Sequence, residues 1–121
     1  MDFIKSFGYA LTGLWYILKT QRNARIHLVI AIAVLLLSVL LQVSNEGLAA
    51  IFIAILLVFL AEIINTAFEK TLDLIDVNHR PEIKIVKDMV AGAVLVASVG
   101  AVIIGLAVFR VYILELVWRR G

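Results

Sequence analysis

Apolar positions in this chain fall into four blocks, and the spacing within them differs from block to block. In the first, Phe3, Phe7, Leu11, Leu14 and Leu18 recur every three or four residues, with Lys5, Ser6, Thr12 and Lys19 among the intervening positions. That period predicts an amphipathic helix over residues 3–20, lying in the plane of a membrane with its apolar face in lipid. Tyr9, Trp15 and Tyr16 suit such a depth, because amphipathic rings concentrate at the headgroup level.

The other blocks are apolar on all sides. Leu28 to Val43, Gly47 through Phe68 and Met89 to Phe109 read as spans, each needing about 20 residues to cross a hydrocarbon layer of about 30 Å. The first run is short, so its span extends back past Ile26, with Arg25 and His27 at the interface. The predicted spans are 25–43, 47–76 and 83–118. Ser44, Asn45, Glu46 and Gly47 supply turn and cap chemistry between the first two. Val77, Asn78, His79, Arg80 and Pro81 break the chain before the third, with Pro81 suited to its first turn. Ala93, Ala97, Ala101 and Gly105 form a small-residue seam on the third span that permits close helix contact within one subunit or between subunits. No linker, low-complexity tract or repeat divides the chain, so a single domain over 1–121 is expected.

Composition agrees with this all-α membrane class. Of 121 residues, 64% are hydrophobic, against about 45–50% in soluble domains. Cysteine is absent, which excludes disulfides, thiolate metal sites and thiol nucleophiles. The first residues lack the short apolar core and cleavage site of a secretory signal. Basic residues gather before the first span (Lys5, Lys19, Arg22, Arg25) and around the second connection (Lys70, Arg80, Lys84, Lys87), whereas the 44–47 connection has none. The amino end and second connection are therefore expected to face the cytoplasm, leaving Arg119 and Arg120 on the other side.

The chemistry gathers at the end of the second span. At about 100° per residue, Glu62, Asn65, Glu69, Asp73 and Asp76 fall within roughly 80° of one another, on one helix face. An ionisable group in a span costs at least ~2.5 kcal/mol unless paired, hydrated or ion-bound, so it marks function by default. Counting from Gly47, Glu69 reaches the inner interface and Glu62 lies roughly 10 Å deeper. The deeper carboxylate suits a general base, and the shallower one suits a hard cation such as magnesium, held together with substrate phosphates. Asn65 can orient a reacting hydroxyl, Lys87 can pair with phosphate oxygens, and Asp88 can meet a sugar, an amine or a headgroup. This combination points to phosphoryl transfer, where catalysis is mostly positioning and charge neutralisation. No GxxxxGK[ST] loop occurs, and Gly8 with Gly13 makes no GxGxxG turn, so a nucleotide has to be held by side chains and helix ends.

Blander readings stand beside these. Glu62 and Asn65 can serve as interhelical hydrogen-bonding groups, Asp73, Asp76 and Lys70 as a solvated helix end, Lys87 and Asp88 as interface charges, and His27 as an interfacial structural residue. A proton-coupled transporter is a competing class, but it predicts a carboxylate near mid-membrane. A purely structural subunit leaves the clustered acids without a purpose.

Glu62, Asn65, Thr66, Ala67, Glu69 and Asp73 spell E-x-x-N-[ST]-A-x-E-x-x-x-D, and Lys87, Asp88, Ala91, Gly92, Ala93, Val94 and Leu95 spell K-D-x-x-[AS]-[AG]-A-V-L. Gly8, Tyr9, Gly13 and Leu14 precede them, as does the run Arg22, Asn23, Arg25, Ile26, His27. Across nearly its whole length the chain thus resembles the small prokaryotic diacylglycerol kinases and their undecaprenol kinase relatives, with the RNxRIH run resembling the undecaprenol-type branch. The resemblance implies a homotrimer in the bacterial inner membrane, each subunit having one surface helix and three spans, with active sites at subunit interfaces open to the cytoplasm. It implies transfer of the γ-phosphate of magnesium ATP to a lipid alcohol, undecaprenol first and diacylglycerol as the alternative. It makes Glu62 the base, Glu69 a magnesium ligand, Asn65 an orienting group, Lys87 a phosphate contact, Asp88 a nucleotide-side contact and Asp73 a supporting residue, with Tyr9 near the nucleotide. Asp2 stands where such proteins often carry a basic residue. At the position of a second metal-binding glutamate this chain has Gln21, whose amide oxygen can coordinate magnesium without adding charge.

Overall fold

The computed structural model describes residues 2–78 and 80–121. Within them the chain forms four helices: α1 (Phe3–Thr20), α2 (Arg22–Leu40), α3 (Asn45–Ile75) and α4 (Pro81–Arg120). The last three are long and apolar enough to cross a membrane, so this is a multi-pass membrane protein. His79, part of the predicted break, lies outside the described residues.

Local chemistry sets each boundary. Asp2 caps α1, its carboxylate accepting from the Ile4 N–H at 3.4 Å, which gives this acid a use at the dipole's positive end. A single residue, Gln21, joins α1 to α2 in extended conformation, its own N–H donating to the Ile17 carbonyl at 2.8 Å. Arg25 secures this elbow by donating from Nη1 to the carbonyls of Leu18 and Lys19, both at 3.0 Å. Those are the orphan acceptors at the end of α1, and a guanidinium suits them in sign as well as in hydrogen bonding. With the elbow so tight, α2 begins at Arg22 rather than at the expected 25.

At its other end α2 stops at Leu40 rather than at 43. Gln42 turns left-handed (φ 54°), the Val43 N–H returns to the Ser38 carbonyl at 3.0 Å, and the Gln42 N–H returns to that of Val39 at 3.1 Å. This is a Schellman closure with glutamine where glycine is usual, at a cost of about 1–2 kcal/mol for the left-handed residue. Ser44 then caps α3 by accepting from the Gly47 N–H at 3.2 Å.

Lipid tails are as apolar as leucine, so close packing and hydrogen bonds rather than water exclusion hold the helices together. The tightest packing is at this end. Val43, Ile51 and Phe109 form the buried core, flanked by Val34, Leu48, Ile55 and Val108. Tyr112 on α4 accepts from the Ser44 N–H at 2.8 Å. A Cβ on Gly47 would sit 2.7 Å from Val43 Cγ1 and 3.1 Å from Val108 Cγ1, so glycine is what lets α3 start this close to α4.

Small residues also occupy the buried side of α2. Ala24, Ala31 and Ser38, seven apart, are its buried positions. Of the α4 seam, Ala101 and Gly105 border an open cleft, and a Cβ on Gly105 would meet nothing within 4 Å. α4 buries only Ile83 and Phe109 among the described residues. The cleft, about 500 Å³, lies between α2, α3 and α4 and starts at His27. α1 has no buried residue; its Tyr16 ring lies 5.1 Å below the Lys70 ammonium, tying the surface helix to the end of α3.

Candidate active site

Buried positions on α3 are Ile51, Ala54, Val58, Glu62, Thr66 and Leu72. From Ile51 to Thr66 this buried side passes from apolar at the Ser44 end to polar nearer the basic end, where α1, Gln21 and the turn after Ile75 lie. Glu62 is 2% exposed and Thr66 3%. Among the described residues, Glu62 Oε2, Asn65 Oδ1 and Thr66 Oγ1 are buried without a hydrogen-bond partner. His27 Nε2 lies 4.0 Å from Glu62 Oε2, near enough to sense its charge and too far to donate to it. Each unsatisfied polar atom costs about 1–3 kcal/mol, so the three make this stretch of α3 expensive to bury without a partner. Thr66 stood in the sequence as part of the E-x-x-N-[ST]-A motif without a role of its own, and His27 gave no sign of its partner.

Closer to the basic end the groups pair with one another. Lys87 Nζ contacts Asp73 Oδ1 at 2.6 Å, joining α4 to α3. Lys84 Nζ holds Asp88 Oδ2 at 2.6 Å, a pair mostly exposed on the first turns of α4. Asp76 is not on the stripe. α3 ends at Ile75, and Asp76, in extended conformation, accepts from Arg80 Nε at 2.6 Å and from the Asn78 N–H at 2.8 Å. An aspartate that captures nearby donors in this way offers the backbone an alternative to another helical turn. Asp76 is thus a turn residue.

Glu69, half-buried, makes no ion pair or hydrogen bond to another side chain among the described residues. Its level in the bundle follows from the His27–Glu62 contact. From Glu62 to Glu69 the axial rise is about 10.5 Å, and from His27 back to Gln21 along the antiparallel α2 it is about 9 Å. Glu69 and Gln21 therefore share one level. No group of three or more histidines, cysteines and acids gathers among the described residues. Tyr9 is 64% exposed on α1.

A buried carboxylate beside two unpaired polar atoms, a shallower carboxylate at the level of an amide, and an adjoining lysine can together position an alcohol and an anion. Comparison with known proteins gives the same direction. The family model described as prokaryotic diacylglycerol kinase matches residues 8–109. An undecaprenol kinase of Bacillus subtilis is 43% identical over 107 residues, covering 88% of this chain and 87% of that protein. A diacylglycerol kinase of Synechocystis is 39% identical over 105 residues, covering 86% of this chain but 60% of that longer protein. No solved structure matches. With these matches the transporter and structural-subunit readings fall away, and the chain belongs to the prokaryotic diacylglycerol kinase family of membrane lipid kinases.

Proposed function

We propose that this lipid kinase phosphorylates undecaprenol, using ATP and magnesium at the cytoplasmic face of the bacterial inner membrane, as a homotrimer. The observation that carries the reading is the set of buried, unpartnered atoms Glu62 Oε2, Asn65 Oδ1 and Thr66 Oγ1 on one stretch of α3. A lipid hydroxyl reaching them donates to Glu62 Oε2, and the Asn65 amide and Thr66 hydroxyl fix the alcohol oxygen. Attack on the γ-phosphorus forms the new P–O bond while the bond to the β,γ-bridging oxygen breaks. The hydroxyl proton passes to Glu62, and ADP leaves. Lys87, exchanging Asp73 for the nucleotide's phosphates, holds the triphosphate at the mouth of the site. Asp88, exchanging Lys84, meets the nucleoside side. Glu69, with Gln21 at its level, would hold magnesium, which when bound neutralises charge on the phosphates.

Orientation follows from the basic residues around α1 and the 76–80 turn. The trimer is supported by α4, whose long apolar surface is barely covered by its own chain, and by a polar stripe that needs protein around it. Undecaprenol is favoured over diacylglycerol by the RNxRIH run, and the apolar cleft bordered by His27 offers a path for a polyisoprenoid chain. Offered both lipids in the same micelles with radiolabelled ATP, the protein is expected to label undecaprenol with the higher kcat/KM. Preferential formation of phosphatidic acid would overturn the substrate choice.

Gln21 sets a second expectation. Gln21→Glu adds a charged ligand beside Glu69 and is expected to lower the magnesium concentration giving half-maximal rate several-fold, about 1 kcal/mol. A magnesium titration of the two proteins checks this, and identical curves remove Gln21 from the metal site.

A further inference from the structure

We infer that Tyr16 and Lys70 are positioning residues: their contact fixes the direction of the surface helix α1 and so sets the Gln21 amide against Glu69. The inference rests on the magnesium role proposed above for Glu69 and Gln21. Helix α1 buries none of its 18 residues, so packing does little to hold it in place. A membrane surface confines such a helix to its plane but leaves it free to swing within that plane about a single-residue joint. Gln21 is such a joint, in extended conformation between α1 and α2. Arg25 fastens it, but from α2 and at the joint itself, through the carbonyls of Leu18 and Lys19. One point of attachment is a pivot, and a second, to a different helix, sets an angle.

Lys70 on α3 supplies the second. Its ammonium lies 5.1 Å from the centre of the Tyr16 ring, within the range of cation–π attraction, and among the described residues it forms no salt bridge. The segment from Tyr16 to Gln21 is stiff. The Thr20 hydroxyl donates to the Tyr16 carbonyl at 2.7 Å, and the Gln21 N–H donates to the Ile17 carbonyl at 2.8 Å, so the last turn of α1 moves as one piece. On α3, Lys70 directly follows Glu69. Adjacent residues of α3 thus address the two ends of that turn: Lys70 holds the Tyr16 end, and Glu69 lies level with the Gln21 end. Releasing Tyr16 lets the turn rotate about the joint and carries the Gln21 amide away from Glu69.

Magnesium titrations of lipid kinase activity and hydrogen–deuterium exchange, both on the purified full-length protein in micelles, test this together. Tyr16→Leu, Lys70→Met and the double variant remove the contact, whereas Tyr16→Phe and Lys70→Arg keep a ring face and a cation. Tyr16→Leu and Lys70→Met are each expected to raise the magnesium concentration giving half-maximal rate about two- to fivefold, the span of an exposed cation–π contact. The double variant is expected to go no further, as for two residues acting through one contact, and both conservative variants to stay close to wild type. Amides of residues 3–20 are expected to exchange faster in the three disrupted proteins, while those of α3 and α4 exchange as in wild type, which shows that these proteins are folded. A shift in Lys70→Met without one in Tyr16→Leu makes Lys70 a direct contact to the nucleotide and overturns the inference, as do additive effects in the double variant or unchanged exchange in α1. Faster exchange with an unmoved magnesium curve makes the contact structural only and overturns the positioning role. Gln21→Glu run alongside separates the two ideas: if it moves the magnesium curve and the Tyr16 and Lys70 variants do not, only the positioning role falls, whereas a curve indifferent to Gln21→Glu removes the metal role of Gln21 and the positioning role with it.

Discussion

Glu62→Gln is expected to lower kcat by about two to four orders of magnitude, the usual share of a general base, while the protein becomes more stable. The two effects share one cause. Glutamine has nearly the shape of glutamate but cannot accept the alcohol's proton, so attack on phosphorus proceeds without the base. Yet the carboxylate is 2% exposed and its Oε2 has no donor, so its charge is costly in the folded state and the neutral amide removes that cost. The gain in unfolding free energy is expected to be about 1 kcal/mol or more, read as a higher midpoint in detergent unfolding. Affinity for ATP is expected to stay close to wild type, because the nucleotide groups lie toward the basic end. A variant that loses activity and stability together would make Glu62 a structural residue, and one keeping kcat within a few-fold of wild type would remove it as the base.

Glu69→Ala is expected to act through magnesium. The side chain has no ionic partner to lose among the described residues, so the fold is expected to be intact and the damage confined to catalysis. Rate at low magnesium is expected to fall roughly a hundredfold, at least the loss seen when groups supporting a metal ligand are removed. Part of it returns at high magnesium, because phosphates and water supply the remaining coordination. With Gln21 at the same level and uncharged, little protein charge remains to replace Glu69. An unchanged magnesium curve would move the ion elsewhere.

Much of the architecture was legible because lipid imposes long apolar runs with polar punctuation. α1 ends where the amphipathic period ends, and Pro81 begins α4 as a proline at a first helical position should. The packing faces were less legible. α2 is apolar all round, so nothing in its pattern distinguishes the buried Ala24, Ala31 and Ser38 from lipid-facing neighbours. The angular count that placed Asp76 on the stripe assumed an uninterrupted helix, and the side-chain bonds of Asp76 to Arg80 and Asn78 end that helix first. Glu62, Asn65 and Glu69 were evident as expensive residues in an apolar span. The pairing of His27 with Glu62 was hidden because sequence distance carries no information about which turn of α2 faces which turn of α3.

The hairpin of α3 and α4 is clasped near Ser44 by Tyr112, Gly47 and the Phe109 core, while its chemical groups lie toward the other end, where the short connection after Ile75 leads into Pro81. Fastened covalently at one end and by packing at the other, the two helices cannot slide past each other, and this fixed register is what sets Asp73 opposite Lys87.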